Sequence, residues 1–272
     1  MDRCGLAFRT EVTNLARDAA LGKLSEAGVR MTSPLSAEFR SIKFGVETLA
    51  AGSALPRHRH AAAYATVVLA GSFEEASFAG RFIAEPGDVL LHGAFDCHAN
   101  RAVSRRPLQI LRLPWDDNVV EGRFRVLDPD RLAAIAGRDP LEALTQLRHD
   151  LVAVSPSDRH WSDRLARALR LDTVSALQTW AEIESLAPET VSRGFRRAFG
   201  VSPKLFRLQS RARRAWNSIV SSPAPLTTIA QEAQFSDLSH LTRSVVALTG
   251  FPPSYWRRRA AGHERLGQIH SS

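Results

Sequence analysis

The chain has 272 residues, of which 44% are hydrophobic and 24% are charged, and its formal net charge is +8. This length allows two domains, and the composition is that of a globular protein rather than a disordered one. No apolar run reaches the ~20 residues of a membrane helix, and none resembles a signal peptide, so we expect no membrane partner. Two cysteines, Cys4 and Cys97, are too few for a disulfide framework, which favours a cytoplasmic location.

The positive charge is concentrated in one part of the chain. Residues 1–160 carry 20 basic and 20 acidic side chains, whereas residues 161–272 carry 16 and 8. A neutral part joined to a basic part indicates a sensor or assembly domain followed by a domain that binds a polyanion.

Residues 1–40 are an N-terminal extension without an assigned function, and the pattern changes to short strands from residue 41 to residue 115. Ile42, Phe44 and Val46 alternate with polar or small residues, which predicts a half-buried strand. Further short apolar runs, separated by glycine and proline turns, follow at 64–69, 82–83, 89–91 and 108–113. This pattern predicts a β-sandwich or β-barrel.

Two histidines in this region share one predicted strand. His58 and His60 point to the same face because side chains alternate with a period of two. With His98 from a facing strand, they can hold a divalent metal ion through three imidazoles. The alternative is that these histidines only line a pocket or form hydrogen bonds within it. Arg57 and Arg59 flank the pair and would repel a cation unless they point outward.

The spacing of these histidines resembles a known family. Gly52, His58, His60 and Gly71 fit the first motif of the cupin family, and Gly80, the Pro86-Gly87-Asp88 turn and His98 resemble its second motif. The resemblance implies a cupin-like β-barrel over residues 41–115, whose interior can bind a small effector. We therefore expect an effector pocket at four positions: His58, His60, Tyr64 and His98. The family's acidic ligand position is Tyr64 here, so no cofactor is expected, and a divalent metal at His58, His60 and His98 is kept as an alternative.

Residues 116–160 contain helical pieces. Leucine and alanine recur at helical spacing over 130–135 and 141–151, and Asp139-Pro140 is typical of a helix start. Such helices can pack within the sensor domain or against a second subunit. We expect a helical connector here that is also a candidate dimerisation segment of a homodimer.

From residue 161 onward the pattern predicts only helices. A first hairpin is predicted at 174–186 and 188–199, with Pro188 at the first position of its second helix and Gly200 after the last. Val191, Phe195 and Phe199 are spaced by four and must face the core. The opposite face of that helix then offers Glu189, Ser192, Arg193 and Arg196.

About fifty residues later this hairpin is repeated. Arg193 is matched by Arg243 and Gly200 by Gly250, and such self-similarity indicates a duplicated structural unit. In the second copy we expect Thr227 or Thr228 to cap the first helix. Ser236-Asp237 is expected to start the second helix, whose exposed side carries Ser239, His240, Thr242 and Arg243.

Between the two copies, leucine and alanine at helical spacing predict a helix over 204–220. At 1.5 Å per residue it is roughly 25 Å long, which suits a rigid spacer between two recognition helices about one DNA turn apart. Arginine contacts guanine in the major groove, and serine, threonine and histidine reach base edges or phosphates. The sequence therefore predicts double-stranded DNA as the partner of the repeated helices.

Residues 186–203 and 229–257, read together, resemble the DNA-binding domain of the AraC/XylS family of transcription regulators. The resemblance covers about one hundred residues and implies that the second helix of each unit enters the major groove. We place this domain at 161–260, followed by a C-terminal tail at 261–272. Gly194 departs from the family, which usually has a larger apolar residue there, and glycine within a helix costs about 1 kcal/mol relative to alanine.

The expected fold class is a multidomain α+β protein. It combines an N-terminal cupin-like β-barrel with an all-α domain that has two helix-turn-helix units joined by a linker helix. The expected function is a ligand-responsive, sequence-specific transcription regulator, and not an enzyme. The alternative is a metal-dependent cupin enzyme with an accessory helical domain. Phosphate-binding loops, nucleophile elbows and zinc-helix motifs are missing from the sequence.

Overall fold

The structure is a computed structural model that describes residues 38–115, 122–154, 160–174 and 176–269. The first part of the chain is built from strands. They are β1 (Glu38–Phe39), β2 (Gly45–Leu49), β3 (Ala54–Arg59), β4 (Tyr64–Ala70), β5 (Phe73–Ser77), β6 (Gly80–Ala84), β7 (Asp88–His92), β8 (Cys97–Ala102), β9 (Leu108–Pro114), β10 (Gly122–Arg125) and β11 (Val152–Ala153).

These strands form two sheets. One sheet has the strand order β1-β3-β8-β5-β6, and the other has the order β11-β10-β7-β4-β9-β2. All pairs are antiparallel except β1 with β3. No strand of one sheet pairs with a strand of the other among the described residues, so the cupin-like barrel is not closed, and the arrangement is that of two facing sheets.

The first predicted strand has the opposite orientation from the one expected. Strand β2 begins at Gly45, and Phe44 and Val46 are 40% and 57% exposed. Glu47 and Leu49 instead face inward and line a cavity between the sheets. The prediction of an apolar inner face was wrong because this strand borders a polar cavity, where a carboxylate can be accommodated.

Two helices pack on the six-stranded sheet. They are α1 (Pro129–Ala136) and α2 (Pro140–Asp150), and each has an aspartate that caps its N-terminus, Asp128 and Asp139. Leu132, Ile135 and Leu147 join the sheet residues in one buried cluster. Together with β10 and β11, these helices make residues 122–153 part of the sheet domain. This is the first of the two arrangements expected for the connector.

The second part of the chain is helical. Its helices are α3 (Trp161–Arg170), α4 (Leu177–Ile183), α5 (Pro188–Phe199), α6 (Pro203–Ser221), α7 (Leu226–Glu232), α8 (Leu238–Thr249) and α9 (Pro253–Ile269). Helix α5 has the predicted bounds, because Pro188 starts it and Gly200 ends it with a φ of 75°. Gly250 ends α8 in the same way with a φ of 83°. Both glycines occupy the left-handed region, which glycine adopts without strain.

Two helix starts differ from their predictions. Helix α4 begins at Leu177 rather than at residue 174. Helix α7 is not capped by Thr227 or Thr228, since Pro225 is its N-cap residue and no side chain accepts a capping hydrogen bond. The expected start of α8 is confirmed, because the Asp237 side chain accepts a hydrogen bond from the backbone N–H of His240.

The unusual glycine of α5 has a partner in the structure. A Cβ atom placed on Gly194 would lie 2.6 Å from Cζ2 and 2.9 Å from Cη2 of Trp161, the first residue of α3. Carbon atoms make favourable contacts at about 3.5–4.0 Å, so any side chain here collides with the indole ring. Glycine therefore allows α3 and α5 to approach closely.

The sheets and the helices share one hydrophobic cluster. Phe78, Phe95 and Cys97 of the sheet domain pack with Phe206 and Trp216 of α6 among its buried members. Several polar contacts also cross this boundary, among them an ion pair in which Arg81 Nε lies 3.3 Å from an oxygen of Asp163. Across the described ranges, no helix combines the length and the apolar character that crossing a membrane requires.

Candidate DNA-binding surface and effector cavity

Helix α5 presents a polar face to solvent. Val191, Phe195 and Phe199 are fully buried, as their spacing predicts. The four residues predicted on the opposite face are all exposed: Glu189, Ser192, Arg193 and Arg196. This helix can therefore enter a groove without disturbing the core.

Helix α8 has the same construction. Leu241, Val245 and Leu248 are fully buried. Of the predicted contact residues, Ser239 and Arg243 are exposed, and His240 and Thr242 are partly exposed. The His240 ring packs edge-on against Phe235 at 5.1 Å and forms a 3.2 Å hydrogen bond with the Ser236 hydroxyl, so its orientation is restricted.

Helix α6 joins the two units. Its 19 residues give a length of about 28 Å at 1.5 Å per residue. The buried Asp172 carboxylate, which follows α3, accepts hydrogen bonds at 2.7 Å and 2.6 Å from Arg211 and Arg214 of this helix. Burial opposes ionisation of Asp172, but the hydrogen bonds from both arginines outweigh it and lower the pKa of this carboxyl. These contacts hold the spacer against α3.

The two sheets enclose a cavity of about 400 Å³. Its walls are partly apolar, with Leu49, Leu55, Phe73, Leu108 and Ile110 among the lining residues. The Arg112 guanidinium also lines it and forms an ion pair with Glu47. A cavity with some apolar wall and several fixed polar groups is typical of a small-molecule site.

The structure brings all four predicted pocket residues together. The Nδ1 atoms of His58 and His60 lie 2.8 Å and 2.7 Å from the carbonyl oxygens of Pro56 and Arg40. As hydrogen-bond donors there, both rings keep Nε2 unprotonated. The Tyr64 hydroxyl lies 3.1 Å from Nε2 of His98. Ligand atoms of His58, His60 and His98 lie within 4.8 Å of one another, so these three residues can hold a divalent metal if Tyr64 gives up its contact.

Burial keeps the three histidines neutral. It lowers the pKa of His58 to about 4 and that of His60 to about 3. It also lowers the pKa of His98 well below its usual value, with a further contribution from His92. At physiological pH each ring therefore keeps one nitrogen as an acceptor, the form that binds a metal or accepts a hydrogen bond.

Sequence reasoning missed three buried groups next to His98: Glu75 and His92, which line the cavity, and Asp96. His92 lies 3.5 Å from Glu75 and donates a 3.1 Å hydrogen bond to Asp96. Burial disfavours protonated His92, but Glu75 and Asp96 outweigh it and raise the pKa of His92. The i,i+4 pair of His92 and Asp96 was the available signal, but it spans a turn and no local periodicity marks it.

Arg57 and Arg59 point away from the cavity. Both are buried, and their guanidinium groups lie between the sheet domain and the helical domain. Their guanidinium groups therefore lie outside the histidine cluster, which is the outward orientation that the sequence left open.

The molecule thus has the construction of a DNA-binding protein, in which a domain with an internal cavity is joined to two helix-turn-helix units on a basic chain segment. Residues 180–259 match the protein family described as "Helix-turn-helix domain". This is the AraC type of the domain, so the predicted family resemblance is confirmed, and the helical part is the DNA-binding domain of a transcription regulator.

No curated protein matches the chain. Among solved structures, ToxT from Vibrio cholerae is 7% identical with a TM-score of 0.38, over 79% of this chain and 97% of that one. A probable AraC family transcriptional regulator from Rhodopseudomonas palustris is 21% identical with a TM-score of 0.34, over 37% and 96%. The Schizosaccharomyces pombe Cnp3 cupin domain is 15% identical with a TM-score of 0.24, over 25% and 47%.

Proposed function

We propose that the protein is a ligand-responsive transcription regulator of the cytoplasm. The helical domain binds a specific duplex through α5 and α8, and the cavity between the sheets binds a small-molecule effector. The observation that carries the proposal is the pair of matched helices, each with a buried apolar face and an exposed polar face, one before and one after a long spacer helix in the chain.

The DNA contacts are divided between the two helices. Arg193 on α5 and Arg243 on α8 are the residues assigned to base edges, because arginine can donate two hydrogen bonds to guanine. The other six exposed or partly exposed positions assist at bases or phosphates: Glu189, Ser192, Arg196, Ser239, His240 and Thr242. Both helices lie in the basic part of the chain, which favours attraction to the phosphate backbone.

The experiment is an unbiased selection of duplexes by the full chain, followed by affinity measurements on the selected sequence. Replacing Arg193 or Arg243 by alanine should weaken specific binding by about 1–3 kcal/mol and relax the preference at one base position each. Arg101→Ala removes an exposed charge of the sheet domain and serves as the control. An equal loss on every duplex would instead assign the two arginines to phosphates.

Effector binding is the second part of the proposal. The cavity offers imidazole acceptors beside apolar walls, so we expect a small ligand with both polar and apolar surface. A compound that raises the melting temperature of the wild type but not of His58→Ala occupies this cavity. Such a compound should also change the affinity for the selected duplex, and unchanged affinity for every such compound would contradict ligand control.

A metal-dependent enzyme is the second candidate, and the three neutral histidines favour it. His58, His60 and His98 would hold the ion, whose chemistry would be that of a Lewis acid. Metal analysis of the purified protein tests this candidate. About one tightly bound ion per chain, lost in the double variant His58→Ala and His60→Ala, would support it. Formation of a homodimer stays a prediction that light scattering of the full chain tests.

A further inference from the structure

Side chains of strand β3 face two different parts of the molecule, the cavity on one side and the helical domain on the other. His58 lines the cavity, whereas the neighbouring Arg57 and Arg59 point to the opposite side, as the period of two in a strand requires. Residues two apart on a strand are separated by about 7 Å, so both arginines lie close together on one face.

Arg57 reaches the first helix-turn-helix unit and the spacer. Its Nε donates a 2.9 Å hydrogen bond to the side-chain oxygen of Gln209 on α6, and its Nη1 lies 3.4 Å from the carbonyl oxygen of Phe199. The guanidinium also lies over the rings of Phe78 and Phe206, at 5.2 Å and 5.1 Å. Phe199 is the last residue of the recognition helix α5.

Arg59 reaches the second unit in the same manner. Its Nη2 donates a 3.0 Å hydrogen bond to the carbonyl oxygen of Ala247, in the last turn of the recognition helix α8. Its guanidinium lies 4.1 Å from the centre of the Phe39 ring. The two arginines therefore contact equivalent ends of the two recognition helices.

The chemistry of a helix end explains why arginine is suited to both places. The last four carbonyl groups of a helix have no partner within the helix, and the C-terminal end carries a partial negative charge. A cation that donates hydrogen bonds to these carbonyls gives them partners and also neutralises the partial negative charge. One strand thus holds both recognition helices by their C-terminal ends.

Stability alone does not account for this arrangement. Arg57 is 7% exposed, and its Nη2 has no hydrogen-bond partner within the described residues. Buried charges are costly, and well-packed apolar residues in their place often leave a protein as stable or more so. A buried and incompletely satisfied arginine is better explained by the geometry that it fixes.

We propose that Arg57 and Arg59 are positioning residues for DNA recognition, each holding the C-terminal end of one recognition helix. Strand β3 thereby sets the separation at which α5 and α8 meet the duplex. This inference rests on the proposed function. Because the same strand carries His58, a ligand in the cavity that moves strand β3 also changes the separation between α5 and α8.

The test measures tolerance for the spacing between half-sites. The selected duplex is varied by inserting or deleting one base pair between its halves, which turns one half by about 35° relative to the other. For the wild-type full chain we expect each change to weaken binding at least tenfold. For Arg57→Gln and Arg59→Gln we expect the penalty to fall below about threefold, since the helices are no longer held.

Arg101→Gln is the matched control, because it removes the same charge from an exposed site of the sheet domain and should keep the wild-type penalty. Unlike Arg59→Gln, Arg59→Lys keeps a cation near Ala247, so it should retain part of the discrimination between half-site spacings. If Arg57→Gln does not fold, then Gln209→Ala replaces it by removing only the acceptor on α6. Wild-type penalties in folded Arg57→Gln, Gln209→Ala and Arg59→Gln proteins would overturn the inference.

Failure of the proposed function gives a different result. A wild-type chain that selects no duplex contradicts DNA recognition itself and the inference with it. A wild-type chain that selects a duplex, but binds all half-site spacings equally, contradicts only the positioning role.

Discussion

Gly194 offers the sharpest test of how the first helix-turn-helix unit is packed. By helix propensity alone, Gly194→Ala should stabilise α5 by about 1 kcal/mol. The structure predicts the opposite sign, because the new Cβ would lie 2.6 Å and 2.9 Å from two ring atoms of Trp161. Relief requires the indole to move by about 1 Å, since favourable carbon contacts begin at about 3.5 Å.

The magnitude follows from the two opposing effects. Overpacking a well-filled site costs about 1–3 kcal/mol. After subtraction of the gain in propensity, Gly194→Ala should destabilise the protein by about 1 kcal/mol. Chemical denaturation followed by circular dichroism at a helix wavelength measures this change, and a shifted midpoint with an unchanged slope would attribute it to stability.

Gly137→Ala is the matched control. Gly137 has a φ of −67°, and a Cβ there would lie 3.6 Å from its nearest neighbour, an ordinary contact. This substitution should stabilise the protein by about 0.4–1 kcal/mol through the unfolded state. In a Trp161→Leu background, Gly194→Ala should lose its penalty. The packing argument would fail if Gly194→Ala stabilised the wild type as much as Gly137→Ala does.

Two further predictions concern ionisable groups. In chelator-treated protein, stability should fall as the pH drops from about 6.5 towards about 4, because unfolded His58 binds a proton there and folded His58, with a pKa of about 4, does not. This dependence is worth at most roughly 3 kcal/mol, and pH-dependent denaturation of His58→Gln should show a flatter profile. Asp172→Asn should cost about 1–3 kcal/mol at neutral pH, because Arg211 and Arg214 lose their charged acceptor; thermal denaturation measures it, and an unchanged melting temperature would contradict a structural role for this cluster.

The helical domain could be predicted from the sequence where local rules determine the structure. Pro188 and Gly200 fix the ends of α5, and the spacing of Val191, Phe195 and Phe199 fixes its buried face. The same rules could not explain Gly194, because its reason is Trp161, which is 33 positions away in the chain. Propensity describes a helix in isolation, and packing between helices overrides it here.

The sheet domain was less predictable. The alternation of Ile42, Phe44 and Val46 marks a strand correctly, but not the face that it buries, because Glu47 faces a cavity. The burial of Arg57 was the hardest feature to predict, since a charged residue beside a histidine motif is expected in solvent. It is buried because Gln209, 152 positions later, supplies an acceptor that no local pattern reveals.

The boundary between the domains also limits how an effector can act. Phe95, in the turn after β7, has a φ of 59°, and for a bulky residue this conformation costs about 1–3 kcal/mol. Its ring packs against Trp216 and Trp256 at 4.8 Å and 5.5 Å, and the preceding Ala94 carbonyl accepts a 2.8 Å hydrogen bond from Arg213 of α6. The helical domain therefore holds this turn in a strained form beside His92 and Asp96. A ligand that moves the helices must bind the rearranged state more tightly by at least the free energy of this packing, so we expect regulation by repacking of the shared core rather than by a free hinge.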